Sequence, residues 1–363
     1  MNNYCIIMAG GFGSRFWPIS QANNPKQFID ILGNGESMLQ TTFRRFERIC
    51  PRENIIIVTN SLYADRVREQ IPNLQPYQVL SEPYRRSTAP CIAYAAAIIS
   101  QLDPNANIIV TPSDHAIFDE AKYDHDIRQA LSITACHDYI VTIGIRPTDP
   151  RTKYGYIQFN ESPALPDAQS LHKVITFTEK PPLEIARQFI STGEFFWNAG
   201  IFVWSLSTLR KAYQTFLPNI AKSILTLKAD TSPDEVEHVY SLCDTISVDY
   251  GIIEHAENVY VLEASFPWSD VETWDLLYNT YPHDAGNNSI ISGTVFTYDV
   301  QNSVVHIPAN KTIVLQGLDG YIVAANDNTT LICRRDQEDR ILKFISDVEL
   351  NQMMGSIYMK NKK

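Results

Sequence analysis

Three groups of residues in this chain have types and spacings suited to chemistry on a charged ligand. The first is a glycine loop. Ala9-Gly10-Gly11-Phe12-Gly13-Ser14-Arg15 follows directly on the apolar run Tyr4–Met8, and Pro25-Lys26-Gln27-Phe28 comes soon after. Glycines let successive backbone N–H groups close on an anion, and Arg15 and Lys26 bring two cations to a loop in an acidic chain. Two common phosphate loops are absent, since a dinucleotide fingerprint needs glycine at Phe16 and a Walker loop needs Gly-Lys-Ser/Thr five residues after its first glycine. A lone GGxG also suits an ordinary tight turn, but the two cations favour an anion. The second group is acidic. Asp114, in Pro112-Ser113-Asp114-His115, stands just after the β-rich run Ile108–Thr111, and Asp270 ends Trp268-Ser269-Asp270. Each is either a ligand-facing carboxylate or the N-cap of the segment that follows. The third group is mixed. Glu179-Lys180 ends the β-rich run Val174–Thr178, where a solvated ion pair is the plain alternative to a binding role. Asn198 lies inside the apolar run Phe195–Trp204. Burying that amide unpaired would cost about 1–3 kcal/mol, which a polar ligand or a backbone hydrogen bond would avert.

The elements that must carry these residues follow from hydrophobic rhythm. Short β-rich runs alternate with amphipathic stretches through the first half: Tyr4–Met8, Met38–Ile49, Ile55–Thr59, Ala64–Gln70, Val79–Leu80, Ala89–Gln101, Ile108–Thr111, Tyr123–Cys136 and Ile140–Ile143. Strands of almost pure Ile and Val are those of a parallel sheet buried on both faces, with ligands at the carboxyl ends of the strands. From Asn287 the texture becomes short alternating segments separated by Gly, Asn and Asp, the pattern of a small all-β domain. The cluster Tyr281–Asn288 marks a boundary. The expected organisation is an α/β domain over 1–284 and a β-rich domain over 285–363, closed by an amphipathic helix at Gln337–Met353 and a frayed tail.

Composition limits the partners. Among 363 residues, 41 Asp and Glu outweigh 30 Lys and Arg, for a formal charge of −11. A nucleic-acid partner gripped by many phosphates through a basic surface is therefore not expected. No run approaches the length of a membrane span and no signal segment opens the chain, so no membrane partner and a cytoplasmic location are expected. The six cysteines contain no CxxC pair and read as reduced, mostly buried thiols.

GGFGSRFWPIS followed by PKQF resembles the N-terminal motif of the sugar-nucleotide pyrophosphorylases, in their mannose-1-phosphate guanylyltransferase branch. Further similarities run in order along nearly the whole chain: SEPYRRSTAP (Ser81–Pro90), PSDH, TKYGYI (Thr152–Ile157), FTEKP, FWNAGIF, SVDYGIIE (Ser247–Glu254) and FPWSDVETW (Phe266–Trp274). The resemblance implies a Rossmann-like nucleotide-diphospho-sugar transferase fold, a mixed sheet flanked by helices, followed by a β-helix-like domain. It also implies a reaction, in which mannose 1-phosphate attacks the α-phosphorus of GTP in line and releases diphosphate without a covalent enzyme intermediate. By the same resemblance Ala9, Gly10, Gly11, Gly13, Glu82, Pro83, Ser87 and Thr88 meet the nucleotide, and Arg15 and Lys26 are the catalytic cations on its phosphates. Gly155, Glu179, Lys180, Asn198 and Asp249 meet the sugar phosphate, and Asp114 and Asp270 share one Mg²⁺. The chain departs from the family pattern at Ser87, commonly Asn, and at Glu272, commonly Gly. The alternatives are a uridylyl- or thymidylyltransferase acting on glucose 1-phosphate, and a non-catalytic sugar-nucleotide-binding subunit. A homodimer is expected by resemblance. So is the lack of isomerase activity, because some relatives carry an isomerase domain after this point.

Overall fold

The structure, a computed structural model, describes residues 2–11 and 14–360. Two compact units form: Met1–Gly10 with Gln40–Trp268, and Gly11–Leu39 with Ser269–Lys363.

In the larger unit the strands and helices alternate as the hydrophobic rhythm predicts. β1 (Asn3–Met8), α1 (Met38–Phe46), β2 (Ile55–Asn60), α2 (Ala64–Gln70), β3 (Val79–Glu82), α3 (Thr88–Leu102) and β4 (Asn107–Pro112) come first. The short β5 (Ala116–Ile117), then α4 (Glu120–Cys136) and β6 (Ile140–Ile145), follow. β1 pairs in parallel with β2 and β4, and β2 with β3. Helix α3 is buried along its whole middle, Ala89 to Ile99, because its alanines keep it thin enough to lie close on the sheet.

Beyond β6 the chain forms β7 (Gly155–Leu165), β8 (Ala168–Glu179), α5 (Leu183–Thr192) and β9 (Phe195–Ser205). Helices α6 (Leu206–Phe216), α7 (Pro218–Ser223) and α8 (Pro233–Ser241) lead to β10 (Val259–Glu263) and the short β11 (Trp268–Ser269). The nine-stranded sheet runs β3-β2-β1-β4-β9-β6-β10-β8-β7 and is mixed, because β9 is antiparallel to β4 and to β6. The apolar run around Asn198 is thus a strand, with three neighbours. β6 lies along one edge, pairing with residues from Trp197 to Val203. On the other edge β4 meets Phe202–Ser205 and β7 meets Phe195–Trp197. The stretch Asn198–Ile201 is left between those two partners, which opens the sheet locally.

The smaller unit holds α9 (Trp274–Thr280) and two small sheets built from β12 (Ser289–Ser292), β13 (Thr294–Tyr298), β14 (Val304–His306), β15 (Thr312–Gln316), β16 (Tyr321–Ala325) and β17 (Thr330–Arg334). β12, β14 and β16 stack in parallel, as do β13 and β15, the rungs of a short β-helix-like coil. Its core includes Val300, Val305, Ile307, Leu315 and Val323. The terminal helix α10 spans Ile341–Lys360, so it starts later than the sequence pattern predicts; Arg335–Arg340 is a tighter 3₁₀ stretch with Gln337 off helical geometry (φ −121°, ψ 22°). Four cysteines are buried, Cys333 is half-buried and Cys136 is exposed. Among the described residues no helix is long and apolar enough to cross a membrane.

Gly144 of β6 pairs with Asn198 of β9 beside a register shift. A Cβ there would come within 2.5 Å of Val261 Cγ2 and 2.9 Å of Phe196 Cβ. Gly144→Ala is therefore expected to overpack the sheet and cost about 2–3 kcal/mol, read as a lowered Tm; an unchanged melt would show that the β6–β9 register can absorb a methyl group.

Candidate functional site

On the larger unit, the end of β1 and the end of β3 form one cluster. Ala9 N–H donates to Val58 O at 2.8 Å, and Thr59 Oγ1 donates to Ala9 O at 2.8 Å, so the first residue of the glycine loop is held by the neighbouring strand. Gly10 faces the Glu82 carboxyl, since a Cβ on Gly10 would stand 3.6 Å from Glu82 Oε2. Glu82 is only 6% exposed. Its Oε1 accepts from the Tyr240 hydroxyl at 3.2 Å, and its backbone carbonyl accepts from Asn60 Nδ2 at 3.2 Å. Burial pushes this carboxyl up to about 8, while the Tyr240 hydroxyl and Arg85 pull it down. Pro83 and the segment to Thr88 follow directly. Ser87 has φ 69° and ψ −167°, a region that favours glycine and costs of the order of 1–3 kcal/mol in other residues. Thr88 Oγ1 accepts from Val248 N–H at 2.9 Å, and Ala89 N–H donates to Ile246 O. These bonds lace the segment to the strip that leads into Asp249.

That strip reaches a second cluster. Asn198, predicted to need either a ligand or the backbone, has protein partners of both kinds. Its Nδ2 donates to Asp249 Oδ1 at 2.9 Å, and its Oδ1 accepts from Thr142 Oγ1 and from Gly200 N–H. Burial raises the Asp249 carboxyl to about 6, with the Glu179 charge adding to the effect. Gly155 is paired in register with Glu179, and a Cβ at 155 would stand 2.5 Å from Glu179 Oε2, so only glycine lets the carboxylate lie there. Lys180, at φ 49°, donates to Glu179 at 2.7 Å. Gly155, Glu179, Lys180, Asn198 and Asp249 thus converge at strand ends: two carboxylates, a 60%-exposed ammonium and an amide, the donors and acceptors that sugar hydroxyls and one phosphate require.

Asp114 lies just past β4, half-buried. It caps no helix, because Asp119 caps α4 by accepting from Lys122 N–H. Asp270 does not cap α9, a role that Thr273 fills through Leu276 N–H. The capping alternative is removed for both.

The smaller unit carries the remaining cations. Lys26 is buried, and its ammonium donates to the carbonyls of Asp270 and Val271, each at 2.9 Å. Val271 has φ 44°, strained for a β-branched residue, so Lys26 helps hold a loop that would otherwise relax. Arg15 is ion-paired with Glu272, the residue that departs from the family pattern. Gln27 Nε2 donates to Gly11 O at 2.9 Å, tying Gly11 to the Pro25–Phe28 segment. Gly13 lies outside the described residues. Gln27, Thr142 and Tyr240 are site neighbours that sequence reasoning does not single out. The first stands inside a conspicuous motif, whereas the other two have no local signal.

The model of the nucleotidyl transferase family matches residues 4–286. The chain belongs to that family. It is 28% identical over 355 residues to a mannose-1-phosphate guanylyltransferase of Escherichia coli, covering 95% of this chain and 75% of that protein. It is 31% identical over 343 residues to one of Sinorhizobium fredii, covering 92% of this chain and 65% of the relative. A crystal structure from Thermus thermophilus, described as a mannose-1-phosphate geranyltransferase, superposes with a TM-score of 0.87 at 28% identity, over 96% of this chain and all of that one. In this nucleotidyl transferase, then, the two clusters of the larger unit lie in the fold segment that defines the family.

The buried carboxyls make stability depend on pH. Glu82 titrates near 8 when folded against a usual 4.5, and Asp249 near 6 against 3.8. The folded state therefore binds more protons than the unfolded chain between those values, and stability falls as pH rises through them. Between pH 6 and 8 Glu82 is the larger contributor of these two carboxyls, with a slope of up to about 1.4 kcal/mol per pH unit. Melts of Glu82→Gln should be flatter than wild type across that range and relatively more stable at pH 8–9; parallel curves would place the Glu82 carboxylate in a more hydrated setting.

Proposed function

We propose that the protein transfers a guanylyl group from GTP to α-mannose 1-phosphate, giving GDP-mannose and diphosphate. The observation that carries this reading is the Glu82 carboxyl buried against the open face of Gly10, in a chain whose named relatives are mannose-1-phosphate guanylyltransferases. A purine with two donors on its Watson–Crick edge, N1–H and N2–H₂, matches the ionised carboxyl, and those donors would favour the charged form against the burial that raises it. Adenine has an acceptor at N1 and would leave the carboxyl poorly matched.

The second cluster supports a sugar phosphate as co-substrate. Lys180 supplies the cation for its phosphate, and Glu179, Asn198 and Asp249 supply acceptors and a donor for its hydroxyls. In the reaction an oxygen of mannose 1-phosphate attacks the α-phosphorus, the bond from that phosphorus to the α–β bridging oxygen breaks, and diphosphate leaves with the electron pair. Such a displacement asks the protein mainly for alignment and charge stabilisation. Arg15 and the glycine loop are the groups proposed for the triphosphate. Lys26 acts near the α-phosphate by holding the Asp270–Val271 backbone in place.

Asp114 and Asp270 are the carboxylates proposed to hold Mg²⁺. Among the described residues no three or more His, Cys, Asp or Glu form a metal cluster. By residue type, hard carboxylates suit an ion that takes one or two protein oxygens and fills its octahedron with phosphate and water. Bound there, Mg²⁺ would neutralise phosphate charge as the bond to phosphorus exchanges.

Two experiments test this function. In a panel of four nucleoside triphosphates with mannose or glucose 1-phosphate and Mg²⁺, GTP with mannose 1-phosphate should release diphosphate fastest; faster turnover of UTP or dTTP with glucose 1-phosphate would overturn the reading. For the metal, Asp114→Asn and Asp270→Asn should each remove most of the activity, and the double variant should be little worse than the poorer single. Groups acting on one ion are strongly non-additive, whereas independent sites add to within about 0.5 kcal/mol. Additive losses that do not vary across a Mg²⁺ titration would separate the two aspartates.

A further inference from the structure

Helix α8 is short, nine residues, and buries only Val236 and Tyr240. Its polar contacts nonetheless converge on one target, the segment from Glu82 to Pro90. Tyr240 donates to Glu82 Oε1 at 3.2 Å and lies 3.4 Å from Pro90 O. Arg86 grips the end of the helix, with Nε on Tyr240 O and Nη2 on Ser241 O, each at 2.9 Å. The Tyr84 hydroxyl donates to Glu237 Oε1 at 2.6 Å. A helix with so little apolar burial gains little by packing alone, so these ties account for its place.

We propose that Tyr240 is a positioning residue for base selection: its hydroxyl, carried 158 residues along the chain on α8, fixes the plane of the Glu82 carboxyl so that its free lone pairs meet the guanine edge. The inference rests on the guanylyl reading above and extends it to a residue that never touches the nucleotide.

The chemistry requires such a brace. A carboxyl rotates freely about its last bond unless one oxygen is pinned, and a rotated carboxyl offers one acceptor where guanine presents two donors. Each oxygen has two lone-pair sites, so the Tyr240 bond occupies one on Oε1 and leaves the others for the base. Tyr240 is itself immobile: it is fully buried and stands edge-on to Tyr94 with ring centroids 6.0 Å apart. Phenylalanine would fill the same volume and keep that ring contact. Packing therefore does not explain the hydroxyl; its acceptors are Glu82 Oε1 at 3.2 Å and, farther off, Pro90 O at 3.4 Å.

The test is a comparison of GTP with inosine triphosphate, which lacks the N2 amino group, each with mannose 1-phosphate. Wild type should prefer GTP in kcat/KM. Assayed above pH 8, where Glu82 is the carboxylate, that preference should shrink by about tenfold in Tyr240→Phe, the scale of one lost hydrogen bond to a charged group, and the loss should appear in KM for GTP rather than in kcat. An unaltered GTP-to-ITP ratio in a variant that melts like wild type overturns the inference and leaves the guanylyl reading intact. Failure of wild type to prefer GTP over ITP overturns the reading of Glu82 itself. Should Tyr240→Phe not fold, Glu237→Ala, which loosens α8 through the Tyr84 contact at the surface, decides instead. It should lower the same ratio about threefold on the smaller scale of an exposed bond, and an unchanged ratio would overturn the proposal.

Discussion

The reversal of β9 inside a run of otherwise parallel strands is the constraint on which the larger unit depends. Because β9 is antiparallel to β4 and β6, the chain enters it at the end where β1, β3 and β4 finish. The residues that end parallel strands, Gly10, Glu82 and Asp114, and the first residues of β9, with Asn198, therefore emerge on one side of the sheet. The ladder is also interrupted there, since β4 and β7 share one edge of β9 without meeting across Asn198–Ile201. Carboxyl ends of parallel strands are the usual place for ligands in such sheets, and this reversal adds a polar strand start to them.

Building a polar site at the edge of an apolar sheet costs stability, and the structure shows where. Two carboxyls are buried with raised proton affinities, at Glu82 and Asp249. Ser87 and Lys180 sit in left-handed backbone there, and within the smaller unit Val271 does so separately. What offsets these costs is lacing between distant segments: 86–89 with 246–248, Asn198 with Asp249, and Lys26 with 270–271. Strain of this kind persists only where surrounding contacts over-determine the backbone; Ser87 and Val271 stand beside such ties, and Lys180 is held by its own N–H on Tyr154 O at 3.2 Å.

Much of this was legible in the sequence. The Ile- and Val-rich runs became β1, β2, β4 and β6 almost residue for residue, since a strand buried on both faces admits little else. Two motif residues singled out in the sequence come together around Gly155, Glu179 at the end of β8 and Asn198 within β9. The direction of β9 was not legible, because an apolar run carries no mark of parallel or antiparallel pairing. Nor was the membership of residues 11–39 in the smaller unit, which is a matter of long-range contact. Tyr240 left no trace because its signal is a single hydroxyl on an unremarkable amphipathic helix, and its partner lies far along the chain.

The pairing of Arg15 with Glu272 in the smaller unit has an energetic meaning of its own. Both side chains are roughly one-third to two-fifths exposed, and ion pairs in such surroundings are worth about 0–1 kcal/mol. Glu272 can thus keep the arginine extended and ordered without holding it tightly. If a triphosphate binds here as proposed, its several oxygens would outcompete one carboxylate, and Arg15 would give up little in exchanging partners. On that proposal the residue that breaks the family pattern would serve as a placeholder, lowering the entropy an arginine must lose on meeting its ligand.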